Sequence, residues 1–519
     1  MIAPHTYITT TIPYVNARPH IGHALELVQA DVLARHRRSR GDSVRFQTGT
    51  DDNSLKNVLA AEAAGVGVRE FVDRNAEAFL ALGDALSLTV DDVIRTSRDP
   101  RHRPGVERFW RACAQAGDLY RKQYEGRYCT GCEQFYTPAE LDDGRCPEHD
   151  SVPQQVTEEN WFFRLSRYAA PLREAITSGR LRIEPAGRRN EVLAFIDGGL
   201  ADFSVSRPAA RAGGWGIAVP GDPDQVIYVW FDALCNYVTA LGYGEDGAGY
   251  RQWWANGDAA ASRVHLVGKG VLRFHAVYWP AMLLSAGQPL PTAIVVHDYL
   301  TAGGRKISKS AGTLVSEPAA LAAGYGADAV RWWLLREVPR VGDADFTVER
   351  LIARADDELA NGLGNLVNRV VAMIHRYRAG RVPPRAEGSA VLPGGEDLAA
   401  AIGRAGHDID AALAEFDYRA ATAAVWTIAD EANRFVNRIQ PWVLAKAERA
   451  GTGQSADLDA ALGALLGACQ ALGRDLGPFL PDAAGRIAAQ CTPGPDGRLP
   501  LPSPVFRRLA PRPADGTPD

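Results

Sequence analysis

The tightest constraint on the fold lies in the first fifty residues. Residues 6–12 (TYITTTI) are β-branched and aromatic, and Pro13 breaks the run. Over residues 24–40, Leu25, Val28, Val32 and His36 recur at three- to four-residue spacing, and Gly41 ends that helical period. Residues 43–48 (SVRFQT) read as a second strand. Strand, helix and strand in so short a span imply a parallel sheet, which takes its ligands at the carboxyl ends of its strands. No GxGxxG follows the first strand, so a dinucleotide-binding fold in the strict sense is unsupported.

At 519 residues the chain is long enough for several domains of about 150 residues. Its 46% hydrophobic and 23% charged content excludes wholesale disorder. With 57 basic against 62 acidic residues the net charge is −5, so any contact with nucleic acid has to be local. The N-terminus lacks the cationic start and apolar run of a signal peptide, and no stretch of about 18 apolar residues predicts a membrane span. Of seven cysteines, three cluster at 129, 132 and 146, which suits a reducing compartment, read as the cytoplasm, and one metal site.

Along the chain, residues 1–115 read as the first half of an α/β nucleotide-binding domain, and 116–225 as an insertion. Strand-like runs at 226–231, 264–267 and 293–297 place the second half at 226–345. Long helices follow over 346–495. One apolar stripe is Leu359, Leu363, Leu366, Val370, Ile374 and Tyr377; another is Val425, Ile428, Ala432, Phe435 and Ile439. Residues 496–519, rich in Pro, Gly and Arg, read as an extended or disordered tail.

Three constellations carry chemistry. Pro19-His20-Ile21-Gly22-His23 stands where the first strand hands over to the first helix, putting two imidazoles and the helix N–H groups where a phosphate chain can bind. Gly22 permits close approach to the backbone. In Gly303-Gly304-Arg305-Lys306-Ile307-Ser308-Lys309-Ser310, two lysines and two serines follow a Gly-Gly hinge, as in a loop that closes on polyphosphate. Only six of the 57 basic residues are lysine (56, 122, 269, 306, 309 and 446), so a lysine kept at 306 and 309 points to a need for a compact ammonium. Third, Cys129-x2-Cys132 and Cys146-x2-His149 have the ligand types and pair spacing of a closed, structural zinc site.

The first two motifs, about 285 residues apart, resemble the HIGH and KMSKS signatures of class I aminoacyl-tRNA synthetases. Nucleotidyltransferases share the first motif type but lack the insertion and the helical half. The zinc knuckle, at about 126–152, together with residues 9–14 (TTTIPY), 48–51 (TGTD), 161–166 (WFFRLS), 228–237 (YVWFDALCNY) and 274–279 (FHAVYW), resembles the methionyl-tRNA synthetases over most of the chain. That resemblance implies a Rossmann-like parallel-sheet catalytic domain with a zinc-containing insertion, then an α-helical anticodon-binding domain. It implies a methionine pocket of Ile12, Tyr14, Trp230, Ala233, Leu234, Tyr237, His275 and Trp279, with Asp51 on the ammonium and Arg207 on the carboxylate. A thioether suits such an aromatic box. His20, Gly22, His23, Gly268 and Lys309 would bind ATP with Mg2+. His20, His23, Lys306 and Lys309 would be catalytic, neutralising charge on the phosphates. Asn365, Arg369 and Trp442 would read the anticodon of the methionine tRNA by hydrogen bonding and stacking. The dimeric members' extra barrel domain is lacking, which implies a monomer.

Two segments depart from the family's pattern. Asp52-Asn53-Ser54 stand in place of the usual Glu-His-Gly, and Gly270 replaces the aspartate expected on the ribose side of the ATP site. The second change is expected to weaken ATP binding without abolishing it. The departures admit two further readings: a synthetase paralogue that passes an activated amino acid to a small nucleophile, and an inactive tRNA-binding module. The lysines at 306 and 309 argue against the second.

Overall fold

The structure, a computed structural model, describes residues 4–129, 134–136, 138–147, 150–255, 261–307, 317–383, 392–451 and 454–509. It divides into two compact units, residues 1–19, 37–83 and 89–297 in one, and 20–36, 84–88 and 298–519 in the other.

The first unit is built on a six-stranded, wholly parallel sheet. Its strands are β1 (His5–Thr10), β2 (Ser43–Thr50), β3 (Asp92–Arg95), β4 (Arg182–Glu184), β5 (Ala261–Gly268) and β6 (Ala293–His297). They lie in the order β3-β2-β1-β5-β6-β4. From β1 the chain builds outward to β2 and β3, crosses to the far edge with β4, and then lays β5 against the other side of β1 with β6 between β5 and β4. The order therefore reverses between β1 and β5, the place where parallel sheets open a crevice for ligands. The central strands are fully covered, with Tyr7, Ile8, Leu266, Val267 and Ile294 at 0% exposure. Over the sheet lies a core rich in large aromatics, Phe109, Trp254 and Trp279 among them. A separate antiparallel sheet pairs Leu119–Cys129 with Gln154–Phe163 and, at its edges, Gln134–Tyr136 and Phe203–Ser204.

One expected strand is mostly helix. The run at 226–231 leaves its ladder at Ile227, the end of the strand Asp222–Ile227, and Val229–Leu234 is helical. An unbroken apolar run carries neither the two-residue nor the 3.6-residue period, so its length and composition do not decide between the two states. The first helix, Ile21–Ser39, starts three residues before the periodic stretch, inside the His-x2-His motif itself.

The second unit is helical, with β-structure confined to short pieces such as the hairpin Leu300–Ala302 and Arg305–Lys306. Both apolar stripes face its core: Leu359 to Ile374 over Ala355–Gly364 and Asn365–Arg378, and Val425 to Phe435 within Tyr418–Ile439. At its centre Arg331 is fully buried. It pairs with Asp31 at 2.8 Å and donates to the carbonyls of Phe479 (2.8 Å), Leu86 (3.0 Å) and Pro478 (3.0 Å). Residues 496–509 form no helix, yet they are tied to this unit. Leu499 N–H donates to Gly380 O, Ser503 exchanges two bonds with the Gln490 side chain, and Leu509 N–H donates to Asp356.

Candidate active site

At the carboxyl end of β1 the chain runs past the half-buried Ile12 and Tyr14, and Tyr14 bridges to Asp51 just beyond β2. Tyr14 meets Trp230 edge-on at 6.2 Å between ring centroids. Trp230 stacks flat on Phe274 at 3.7 Å and stands edge-on to His275 at 6.5 Å. Tyr237 touches His275 at 5.7 Å and Trp279 at 5.9 Å. Five of the eight residues expected to hold methionine are thus linked in one aromatic cluster. Ala233 and Leu234, buried, sit on the helix that bears Trp230. Phe274, which supplies the closest ring contact, escaped the sequence reading as a site residue. Its place next to His275 in FHAVYW was the available signal.

Hydrogen bonds fix the polar edges of this cluster. A carbonyl only accepts, so His275 donates from Nδ1 to Val271 O at 2.9 Å, and its Nε2 accepts the Tyr237 hydroxyl at 2.7 Å. Beneath it, Trp279 Nε1–H donates to His265 Nε2 at 3.3 Å, which leaves the proton of His265 on Nδ1, facing Thr9 Oγ1 at 2.6 Å. Tyr7, hydrogen-bonded to Gln47, reaches Tyr237 O at 2.9 Å, and Gln47 donates to Asn236 at 2.7 Å. This lattice was also missed from sequence. A histidine inside the apolar run VHLV was its one visible sign.

Burial holds the His265 pKa well below its ordinary 6.5, with His275 and Arg263 adding to the effect. Below pH 6.5 the unfolded chain therefore binds a proton that the folded state refuses. Stability is full above that pH and falls on acidification, by at most about 1.4 kcal/mol per pH unit from this one group. Urea midpoints compared at pH 7.5 and 5.5 are expected to show this slope, reduced in His265→Gln; an equal slope in both proteins would remove the assignment.

Asp51 is 2% exposed; its N–H donates to Pro13 O at 2.9 Å, and its Oδ1 accepts Asn53 N–H at 3.2 Å. The three unusual residues that follow are each integrated. Asp52, fully buried, takes Arg95 at 3.0 Å, Thr50 at 2.7 Å and Ser97 at 2.8 Å. Asn53 donates from Nδ2 to Asp232 at 2.8 Å, and Ser54 caps the helix Leu55–Ala63 through Lys56 N–H at 3.0 Å. Arg207, 6% exposed, lays its guanidinium over the rings of Tyr128 (4.2 Å) and Tyr228 (4.6 Å). Gly268 ends β5 with the His297 ring alongside, and Gly270 is exposed.

In the second unit, His20 and His23 lie with ring centroids 3.9 Å apart. The N–H of Gly22 donates to His20 Nδ1 at 3.1 Å, and the N–H of His20 to His23 Nδ1 at 3.0 Å. Each neutral ring is thereby set with its proton on Nε2, giving two donors at a helix start. Gly22 has a more local reason than ligand approach: a Cβ there would meet His20 Cε1 at 2.9 Å.

The Gly303-Gly304 pair, expected as a hinge, is the two-residue turn of the hairpin that carries Lys306. Both glycines have positive φ (60° and 73°), as a type I′ turn demands, and Gly304 N–H donates to Asp345 at 2.9 Å. Lys309 lies outside the described residues. Asn365 is exposed, Trp442 is 43% exposed, and Arg369 donates to Asn433 at 2.8 Å. Of the expected zinc ligands, Cys129 and Cys146 are both 1% exposed and share a small cluster with Tyr136. Cys132 and His149 lie outside the described residues, and no metal-binding group of three appears among those described.

The family model described as tRNA synthetases class I (M) matches residues 6–152 and 136–371. A methionine–tRNA ligase of Caldanaerobacter subterraneus subsp. tengcongensis is 39% identical over 93% of this chain and 73% of that relative. Another, from Mycobacterium bovis, is 38% identical over 98% of this chain and 99% of that relative. The solved structure of Mycobacterium tuberculosis methionyl-tRNA synthetase in complex with methionyl-adenylate superposes with a TM-score of 0.90 at 36% identity, covering 97% of this chain and all of that one.

Proposed function

Because the chain belongs to the methionine–tRNA ligases of the class I tRNA synthetases, we propose that the Tyr14–Trp230–His275–Tyr237–Trp279 cluster is where methionine is held for activation. The reaction is ATP-dependent formation of methionyl-adenylate, then transfer of the methionyl group to tRNA. The observation that carries the assignment of the pocket is the aromatic box beside the sheet's switch point. Rings at 3.7–6.5 Å from one another give a soft, apolar enclosure that suits a polarisable thioether. Ile12, Ala233 and Leu234 complete its walls. Asp51 takes the ammonium and Arg207 the carboxylate, each through a charge-assisted bond.

The methionine carboxylate then attacks the α-phosphorus in line, the bond from that phosphorus to the bridging oxygen breaks, and pyrophosphate leaves. His20 and His23, donating from Nε2, and Lys309, with Lys306 assisting, offset the charge that builds on the phosphate oxygens. Gly22 and Gly268 are further residues assigned to ATP, and Mg2+ would enter with the triphosphate. Gly270 offers the ribose no carboxylate, so ATP is bound less tightly than with aspartate there. In the second step the terminal ribose hydroxyl of tRNA attacks the activated carbonyl and releases AMP. Asn365, Arg369 and Trp442 read the anticodon, an amide, a guanidinium and an indole for unstacked bases.

A zinc ion fits the Cys129-Cys132-Cys146-His149 set. Two of its cysteines, Cys129 and Cys146, are buried in one small cluster with Tyr136. The metal's contribution there is structural, closing the knuckle. The cytoplasm as compartment and a monomeric state complete the proposal. The reading as an amino-acid activator for a small nucleophile is not supported, since relatives matched over nearly the whole chain are methionine–tRNA ligases.

Purified protein with ATP, magnesium, labelled methionine and transcribed methionine tRNA is expected to give base-labile label on the tRNA. It is also expected to carry one zinc per chain by atomic absorption and to sediment as a monomer. No charging at high enzyme concentration would sink the proposal, and a metal-free but active protein would remove the zinc.

A further inference from the structure

Asp232 is a carboxylate at 1% exposure in the middle of the pocket helix Val229–Leu234, between Trp230 and Ala233. A buried charge of this kind persists only with good partners. It has two, from different parts of the first unit. On one side His102, itself 0% exposed at the start of the helix His102–Gln115, donates from Nε2 to Oδ1 at 2.5 Å. The other nitrogen of that ring meets Thr239 Oγ1 at 2.8 Å, on the short helix Asn236–Thr239 that bears Tyr237. On the other side Asn53 donates from Nδ2 to Oδ2 at 2.8 Å. The same Asn53 gives its backbone N–H to Asp51 Oδ1 at 3.2 Å.

One residue therefore grips two carboxylates at once: the one assigned to the substrate ammonium and the one that anchors the helix lining the side-chain pocket. On the reading of the site given above, we propose that Asn53 is a positioning residue, which through Asp232 sets the span between the ammonium site at Asp51 and the aromatic box, with His102 as the opposite anchor. Asn53 does not touch substrate in this scheme. It stands where the family usually has histidine, and a primary amide with two N–H donors can serve the same carboxylate.

The scheme separates methionine binding from ATP use. Asn53→Ala removes one hydrogen bond to a charged, buried acceptor and loosens the Asp232 end of the pocket, while the backbone N–H to Asp51 remains. Methionine-dependent exchange of pyrophosphate into ATP is expected to show the methionine KM raised about tenfold, the size of a 1.4 kcal/mol loss. The ATP KM and kcat should each stay within about twofold of wild type, because the loss falls on ground-state binding of methionine alone. His102→Asn is expected to move the methionine KM in the same direction. The two changes together should cost less than the product of their separate effects, since both act through Asp232. Should the alanine variant not fold, Asn53→Ser, smaller and still polar, serves the same comparison.

A methionine KM unchanged by Asn53→Ala, or a parallel rise in the ATP KM, would overturn the proposal. The first result would make Asn53 a bystander; the second would make it a general support of the fold. Wild-type exchange with methionine keeps the reading of the site intact whichever way the variants behave, and its absence would overturn both.

Discussion

Asp51→Asn is expected to lower kcat/KM for methionine by about 10²–10³-fold, the 2–5 kcal/mol usual when one member of a buried charge pair is removed. The substitution keeps shape. An asparagine Oδ1 can still accept Asn53 N–H, and the bonds of the Asp51 backbone to Pro13 and Asn57 are untouched. What disappears is the charge proposed to face the substrate ammonium, so the thermal midpoint and the ATP KM should hardly move. A comparison ligand sharpens the result. The des-amino analogue of methionine has no ammonium, and its inhibition constant is expected to be nearly the same for both proteins. An equal loss of affinity for that analogue would show that Asp51 shapes the pocket rather than binding the amine.

Lys309→Ala is expected to slow single-turnover formation of methionyl-adenylate by about 10²–10³-fold while methionine binding stays intact, in line with removal of one group that stabilises developing charge. Lys309→Arg should recover little of this. The chain uses arginine for all but six of its 57 basic residues, so a lysine retained here argues that the planar fork does not serve. Lys306→Ala, on the second strand of the hairpin behind the Gly303-Gly304 turn, should cost about tenfold, as an auxiliary contact rather than a principal one. A Lys309→Arg variant at wild-type speed would reduce the requirement to positive charge of any shape.

The parallel sheet was legible in the sequence because it rests on local signals, β-branched runs bounded by breakers, whereas the box of aromatics was reached through the family resemblance carried by its short segments. Two kinds of feature were legible in neither way. The segment at 226–231 hid its helix because residues apolar on every side show no period, and Trp230 owes its place in the box to that helical turn. The lattice of Thr9, His265, Gln47 and Asn236 joins residues 189 and 256 positions apart along the chain, with no spacing that sequence alone would single out. The replacements at 52–54 read in the sequence as departures. In the structure they are a buried ion pair with Arg95, a tie to Asp232 and a helix cap, each coherent with its surroundings.

Arg331 has a consequence for the order in which the chain is made. Its four partners are Asp31, Leu86, Pro478 and Phe479, so the helix that opens at His20 and His23 is anchored partly through residues translated long after it. Domains commonly fold from the N-terminus as they leave the ribosome. Here the His-x2-His helix gains its buried counter-ion with residue 331 and its full set of neighbours only after residue 479 has emerged. A nascent chain halted before that point holds Arg331 without two of its four acceptors, and so lacks the completed anchorage of the motif proposed above to bind phosphate. Synthesis through residue 479 is thus the step that completes an anchorage begun at the twentieth.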